Sequence, residues 1–240
     1  MSNNAAMKSP PSQRHAVVTG ASAGIGRAIT ELLLESGWRV TGVDRDPPTL
    51  ATDHFNAFTV DLSIGTEVER IAQQLVDADA LVHAAGILRV GRIGELDHVA
   101  SDLMWRLHVD AANKLCNTIM PAMAARYHGR VVFIGSRVAQ GMPGRGQYAA
   151  TKAALIAMSR SWAAEFAEHG VTVNVVSPAA TATGMLNDPA RSESAARVPP
   201  IGRLIEPVEV AQLIGYLLSP AAAAITGQNI GICGGASLRC

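Results

Sequence analysis

The chain has 240 residues, 48% of them hydrophobic, with 20 Lys and Arg against 20 Asp and Glu. That length supports a full core. A formal charge of zero gives no sign of a nucleic-acid surface, an acidic tail or a polybasic membrane patch. No apolar run reaches the roughly 18 residues that cross a bilayer. The start of the chain, polar and carrying Pro10-Pro11, lacks the apolar core of a secretion signal. Residues 1–13 are expected to be a disordered lead-in, and residues 14–240 a single domain. Cys116, Cys233 and Cys240 are odd in number and widely spaced. They make neither a metal pattern nor a disulfide framework, which fits a reducing cytoplasm.

Strand and helix signals alternate along the chain. Residues 16–19 read as a strand and 24–36 as a helix, with Gly37 as its C-cap. Residues 39–43 form a second strand ending in Asp44, and 45–54 a connector. A third strand, 57–60, ends in Asp61, and a helix over 66–76 follows. The fourth strand, 80–83, closes on Ala84-Ala85-Gly86. Residues 98–127 are helical, with Pro121 as a kink or break. Then come a strand at 130–134, a glycine-rich loop at 135–146 and a helix at 147–169. A strand at 171–176, an irregular stretch at 179–205, a helix at 207–218 and a strand at 229–232 complete the order. The strands are short and apolar rather than alternating, the pattern of a parallel sheet covered on both faces. The expectation is therefore an α/β fold: a Rossmann-like, doubly wound parallel sheet of about seven strands in one domain.

In such a sheet ligands bind at the carboxyl ends of the strands, so polar residues there carry the chemistry. The first strand runs into Thr19-Gly20-Ala21-Ser22-Ala23-Gly24-Ile25-Gly26. Glycines suit a backbone that takes positive φ or lies against a ligand. The free N–H groups at the following helix start favour a phosphate. This turn reads as the seat of a nucleotide pyrophosphate; a glycine turn without a ligand is the plainer alternative. Asp44, 18 residues beyond Gly26, can accept both ribose hydroxyls of an adenosine and would repel a 2′-phosphate, which favours NAD over NADP. The adjacent Arg45 works the other way. Asp61 and Leu62 either bracket an adenine edge or merely cap a strand end. Tyr148 and Lys152 lie four apart on one helix face. A tyrosine near pKa 10 is a poor base at neutral pH, but a neighbouring ammonium favours its phenolate. The pair is thus a general acid/base with its electrostatic helper, or two residues of a surface helix. Ser136, 12 residues upstream of the tyrosine, could hold a substrate oxygen.

Taken together, the Gly-x-x-x-Gly-x-Gly turn, the strand-end Asp, Ser136 and Tyr148-x-x-x-Lys152 resemble the short-chain dehydrogenase/reductase superfamily, in its short single-domain branch. The resemblance covers residues 14–238, including Pro200-Ile201-Gly202-Arg203 and Ile225-Thr226-Gly227-Gln228. It implies hydride transfer between a nicotinamide cofactor and a secondary alcohol or ketone. Tyr148 would exchange the proton with the substrate oxygen, Ser136 would fix that oxygen, and Lys152 would bind the nicotinamide ribose. Gly20, Ser22, Ala23, Gly24, Ile25 and Gly26 would take the pyrophosphate. Asp44, Asp61, Leu62, His83, Ala84 and Gly86 would line the adenosine, and Thr181 and Thr183 the nicotinamide. No metal is implied. Three departures stand out, the mildest being Pro178-Ala179 where the family has Pro-Gly after the sixth strand. Asn-Asn-Ala-Gly of the family is here His83-Ala84-Ala85-Gly86, and the helix asparagine that holds a water beside the lysine is assigned to Asp110, with an altered pH profile expected. A catalytically impaired NAD-binding sensor or scaffold is the alternative reading. An extended-branch epimerase has no room for its substrate domain after residue 178.

The substrate walls are expected in residues 89–94, 138–144 and 179–205, where Arg89, Arg137, Arg145, Arg191 and Arg197 lie on or near them. The stretch 84–91 resembles 2,3-dihydro-2,3-dihydroxybenzoate dehydrogenases, a hint of a cyclic hydroxy-acid substrate. The 3-oxoacyl carrier-protein reductases are a second branch, usually selecting NADP, which Asp44 argues against. Helices 98–127 and 147–169 lie where the family builds oligomers, and their small residues predict a homo-oligomer, with a tetramer favoured.

Overall fold

The computed structural model describes residues 13–187 and 197–238. Most of the lead-in, Arg191 and Cys240 lie outside them. Seven strands form one sheet in the order β3-β2-β1-β4-β5-β6-β7. They are β1 (His15–Thr19), β2 (Arg39–Asp44), β3 (Phe55–Thr59), β4 (Ala80–His83), β5 (Gly129–Ile134), β6 (Val171–Pro178) and β7 (Asn229–Ile232). Every pairing is parallel, so each return must cross by a connection that covers a face.

Alternate residues of the strands enter two cores. Val17, Leu81, Val131, Phe133 and Val173 face α2 (Gly65–Ala72), α4 (Ala111–Ala125) and α5 (Gly146–Phe166). Ala16, Val18, Val40, Val82 and Val132 face α1 (Gly24–Glu35) and α6 (Pro207–Leu217). The central strands are buried throughout, which explains their unbroken apolar composition. The edge strands β3 and β7 depart from it and are half-buried or exposed throughout.

Several boundaries differ from the sequence reading, each for a physical reason. Strand β3 starts at Phe55 because its register pairs Phe55 with Val40 and Thr59 with Asp44. Helix α2 stops at Ala72, where i→i+3 bonds from Gln74 and Leu75 tighten the chain. Helix α5 ends in a 3₁₀ turn and Gly170 at φ +69°, a left-handed stop. Gly37 (φ +79°) closes α1 in the same way, with Trp38 N–H reaching back to Leu33 O at 3.0 Å. Pro121 neither breaks nor ends α4. The irregularity lies upstream: α3 (His98–Trp105) passes into a π-helical turn, Arg106–Asp110, before α4 begins.

Candidate active site

The strand ends open into a cleft of about 1480 Å³. That exceeds the roughly 300–1,000 Å³ of a pocket for one small ligand, which suits a dinucleotide with a substrate beside it. Gly20, Ala23, Gly24, Ile25, Gly26, Asp44, Asp61, Leu62, Ala84, Gly86, Ser136, Tyr148, Lys152, Thr181 and Thr183 all line it. Ser22, His83 and Asp110 do not.

The glycine turn is shaped by what its residues lack. Gly20 sits at φ +71°, and a Cβ there would come within 2.8 Å of Ala85 N. A Cβ at Gly26 would overlap the Gly20 carbonyl. Helix α1 then starts with no side-chain cap and no acidic residue in its first turn. Its first N–H groups are left for an anion, and the helix dipole adds to the attraction. These features fit a pyrophosphate.

Asp44 is half-buried at the end of β2. Its Oδ2 accepts from Ser22 N–H at 2.9 Å and its Oδ1 from Asp46 N–H at 3.1 Å. Ser22 is therefore folded back onto the β2 end: its hydroxyl donates to Asp46 O. Each carboxylate oxygen keeps accepting capacity toward the cleft. Asp61 caps its own strand end, its Oδ1 accepting from Ser63 N–H and Oγ–H at 2.9 and 2.7 Å.

At the far end, Ser136 leaves β5 in extended conformation, and its Oγ accepts from Val138 N–H at 3.1 Å. That bond uses a lone pair and leaves the hydroxyl proton for another acceptor. Tyr148 and Lys152 are both buried in the first turns of α5. The Lys152 ammonium donates to Ile134 O at 2.8 Å and lies 5.8 Å from the Tyr148 ring centre. Burial pushes its pKa down to about 7, since desolvation disfavours the charged form. Its help to the phenolate is therefore greatest where it is still protonated.

His83 is a correction to the sequence reading. It is 1% exposed and lies behind the cleft. Its Nε2–H donates to Leu107 O at 3.1 Å, so its Nδ1 accepts from Thr19 Oγ1–H at 2.9 Å. Thr19 Oγ1 in turn accepts from Ala84 and Ala85 N–H. Burial, reinforced by Lys152, lowers the His83 pKa to about 4. The ring is a neutral clamp on the turn rather than an adenosine contact.

Asp110 is the second correction. It ends the π-helical turn and does not line the cleft. His108 is the fully buried side chain of that turn. A Cβ on Gly86 would stand 3.0 Å from His108 Nε2 and 3.6 Å from Lys152 Nζ. Thus His108, not Asp110, occupies the place beside the lysine. Its spacing from Met104, Ala112 and Leu115, all buried, was the available signal, because it sets His108 on the inward face.

A family model described as Enoyl-(Acyl carrier protein) reductase matches residues 20–237. The 3-oxoacyl-[acyl-carrier-protein] reductase FabG of Escherichia coli (strain K12) is 37% identical over 92% of this chain and 96% of its own. This chain belongs to the short-chain dehydrogenase/reductase superfamily. It is an oxidoreductase of that superfamily. Among solved structures of this superfamily's fold, a variant of actinorhodin polyketide ketoreductase with NADPH is 27% identical, with a TM-score of 0.87 over 97% of this chain and 100% of its own. A 4-hydroxyisoleucine dehydrogenase complexed with NADH is 25% identical, with a TM-score of 0.85 over 95% of this chain and 100% of its own. Solved structures similar to this chain thus carry NADPH in one case and NADH in the other.

Proposed function

We propose that this chain transfers hydride between a nicotinamide cofactor and a secondary alcohol or ketone, with Ser136, Tyr148 and Lys152 as its catalytic residues. The observation that carries this reading is their burial together at one end of the cleft whose other end is the glycine turn. The cofactor, when bound, supplies or accepts the hydride. Tyr148 exchanges a proton with the substrate oxygen, and Ser136 donates to that oxygen. Lys152 holds the nicotinamide ribose, and as an ammonium favours the phenolate. Gly20, Ala23, Gly24, Ile25 and Gly26 take the pyrophosphate, with Ser22 supporting the turn through Asp44. Leu62, Ala84 and Gly86 line the adenosine, and Thr181 and Thr183 the nicotinamide.

NAD is the favoured cofactor. The Asp44 carboxylate, aimed at the ribose position with Asp46 behind it, would repel a 2′-phosphate. The NADPH of the ketoreductase relative points the other way, as does Arg45, which is 69% exposed and only 3.7 Å from Asp46.

A carboxylate-bearing substrate, such as a cyclic hydroxy-acid, fits the charge of the cleft. Its carboxylates, Asp44, Asp46 and Asp61, all lie at the ends of β2 and β3. The substrate end is lined by Arg92, Arg137, Arg145 and Arg197 and by no acid among the described residues. Arg92 falls within the expected 89–94 wall, whereas Arg89 lies outside this lining. Met142, Met185 and Leu186 supply an apolar wall. We further propose a homo-oligomer, a tetramer being favoured, in a reducing cytoplasm. No helix among the described residues is long and apolar enough to cross a membrane.

The test is a titration of NAD against NADP followed by a screen of alcohols and ketones, each acid paired with its amide. Preference for NAD and for the acid of each pair is expected. Tighter NADP binding overturns the reading of Asp44, and equal turnover of acid and amide overturns that of the arginines. A single monomer mass by light scattering overturns the oligomer.

A further inference from the structure

Two buried histidines lie on either side of one peptide. His83 donates to the carbonyl of Leu107, and His108 is the next residue. The hydrogen bonds of His108 leave its protonation state no freedom. Ile87 N–H points at Nε2 at 3.0 Å, so Nε2 must accept. Nδ1 therefore carries the proton and donates to Thr151 Oγ1 at 2.8 Å. The Thr151 hydroxyl donates onward to Tyr148 O at 2.9 Å. The imidazole also meets the Tyr148 ring edge-on, with centroids 5.7 Å apart at 85°. A single unbroken chain of donors thus runs from the Gly86-Ile87 turn to the backbone of the tyrosine.

We propose that His108 is a positioning residue for the hydride-transfer reaction: its neutral Nδ1–H ring sets the distance between the Gly86-Ile87 turn and the Tyr148–Lys152 turn of α5. This rests on the functional reading above. The turn lines the cleft where the cofactor would lie, and the helix carries the acid/base. Their separation fixes how proton and hydride reach the substrate together. An aspartate or a serine at position 108 could not span both partners, because the imidazole offers an acceptor and a donor on opposite edges of one rigid plane. Burial next to Lys152 and His83 keeps the ring uncharged. A protonated ring would present N–H to N–H at Ile87 and break the chain.

Nitrogen NMR of histidine-labelled protein tests the chain without a substrate, the His108 signal being identified by its loss in His108→Gln. A protonated Nδ1 and a bare Nε2 at neutral pH are expected, with the Ile87 amide protected from exchange. A protonated Nε2 overturns the proposal. For turnover, His108→Phe keeps a buried ring but removes both bonds. Its kcat should fall about 10- to 100-fold, the range for a small misplacement of reacting groups, while KM and the cofactor Kd hold. His108→Gln, whose amide oxygen can still accept from Ile87 N–H, should recover part of the loss. Wild-type kcat in folded His108→Phe overturns the proposal, and so does an equal loss in both variants. If His108→Phe does not fold, Thr151→Val cuts the same chain: a kcat loss is expected, and wild-type kcat overturns the proposal. A wild-type protein that turns over no alcohol or ketone breaks the functional reading instead, and the tautomer and Ile87 protection then decide the hydrogen-bond chain separately.

Discussion

At the glycine turn the cleft is walled by main chain: Gly20, Gly24 and Gly26 line it, and no side chain caps the first N–H groups of α1. At the opposite end it is walled by buried side chains: Ser136, Tyr148 and Lys152, with His108 and Thr151 behind them. The first end is specified by missing atoms, so the change that harms it is an added methyl group. The second is specified by hydrogen-bond polarity and charge, so the changes that harm it preserve size and alter one polar atom. Binding would reside in the first and reaction in the second.

Five substitutions test that division. Tyr148→Phe removes one oxygen and should cut kcat by about 10²- to 10⁴-fold, the usual worth of a general acid/base. Cofactor affinity, read by quenching of intrinsic fluorescence, should be unchanged. An equal loss of affinity would merge the two ends.

Lys152→Met exposes the cost of burying an amine. The folded-state pKa of Lys152, about 7, lies below the unfolded value of 10.5. The unfolded chain therefore binds more protons between these values, and wild-type stability rises with pH in that window. Relative to Lys152→Met, the wild type should gain up to about 1.4 kcal/mol per pH unit from pH 7 to pH 10.5. Below pH 7 the handicap is constant. Urea melts at several pH values would show it, and parallel curves would contradict the burial of the charge.

Gly26→Ala should cost about 1–3 kcal/mol, the range for overpacking, because its methyl meets the Gly20 carbonyl. Cofactor affinity should fall with it, while any residual kcat holds. Asp44→Asn should raise the NADP-to-NAD ratio of kcat/KM by about tenfold, or 1.4 kcal/mol; an unchanged ratio would remove Asp44 from cofactor choice. Asp110→Asn should have the smallest effect. Its pH profile of turnover should match wild type, and a shifted profile would return Asp110 to the proton path.

The fold was legible because its cause is periodic. Buried parallel strands leave apolar runs, and Gly37, Pro207 and the strand-end aspartates punctuate them. The glycine turn and Tyr148-x-x-x-Lys152 were legible as spacings. What sequence reading missed were groups whose roles depend on a partner distant in the chain. The sequence places His83 beside the adenosine, whereas Thr19 and Leu107 hold it behind the wall. The family resemblance assigns the helix asparagine's place beside Lys152 to Asp110. A π turn and the packing of Met104 bring His108 to that place instead. Thr151, between two conspicuous residues, offered no motif at all. The edge strand β3 was misplaced by two residues at its start, as edge strands lack the apolar run that marks the rest.

The π turn at Arg106–Asp110 amounts to one residue too many for the helix that contains it. Each residue advances an α-helix by about 100°, and a wide turn absorbs the surplus locally. Without it, everything upstream would be out of phase with α4 by that angle. A deletion of one residue here would give a more regular helix with either α3 or α4 turned off its core. The same wide turn presents the Leu107 carbonyl sideways to His83 and the His108 ring inward to Ile87. The surplus residue therefore acts as a phase shifter: it lets one continuous rod pack α4 against the sheet and Met104 of α3 against Leu88, Val138 and Tyr148, and still offer a peptide to the catalytic end of the cleft. A length change at this point, neutral in composition and invisible to hydropathy, should be among the least tolerated in the protein.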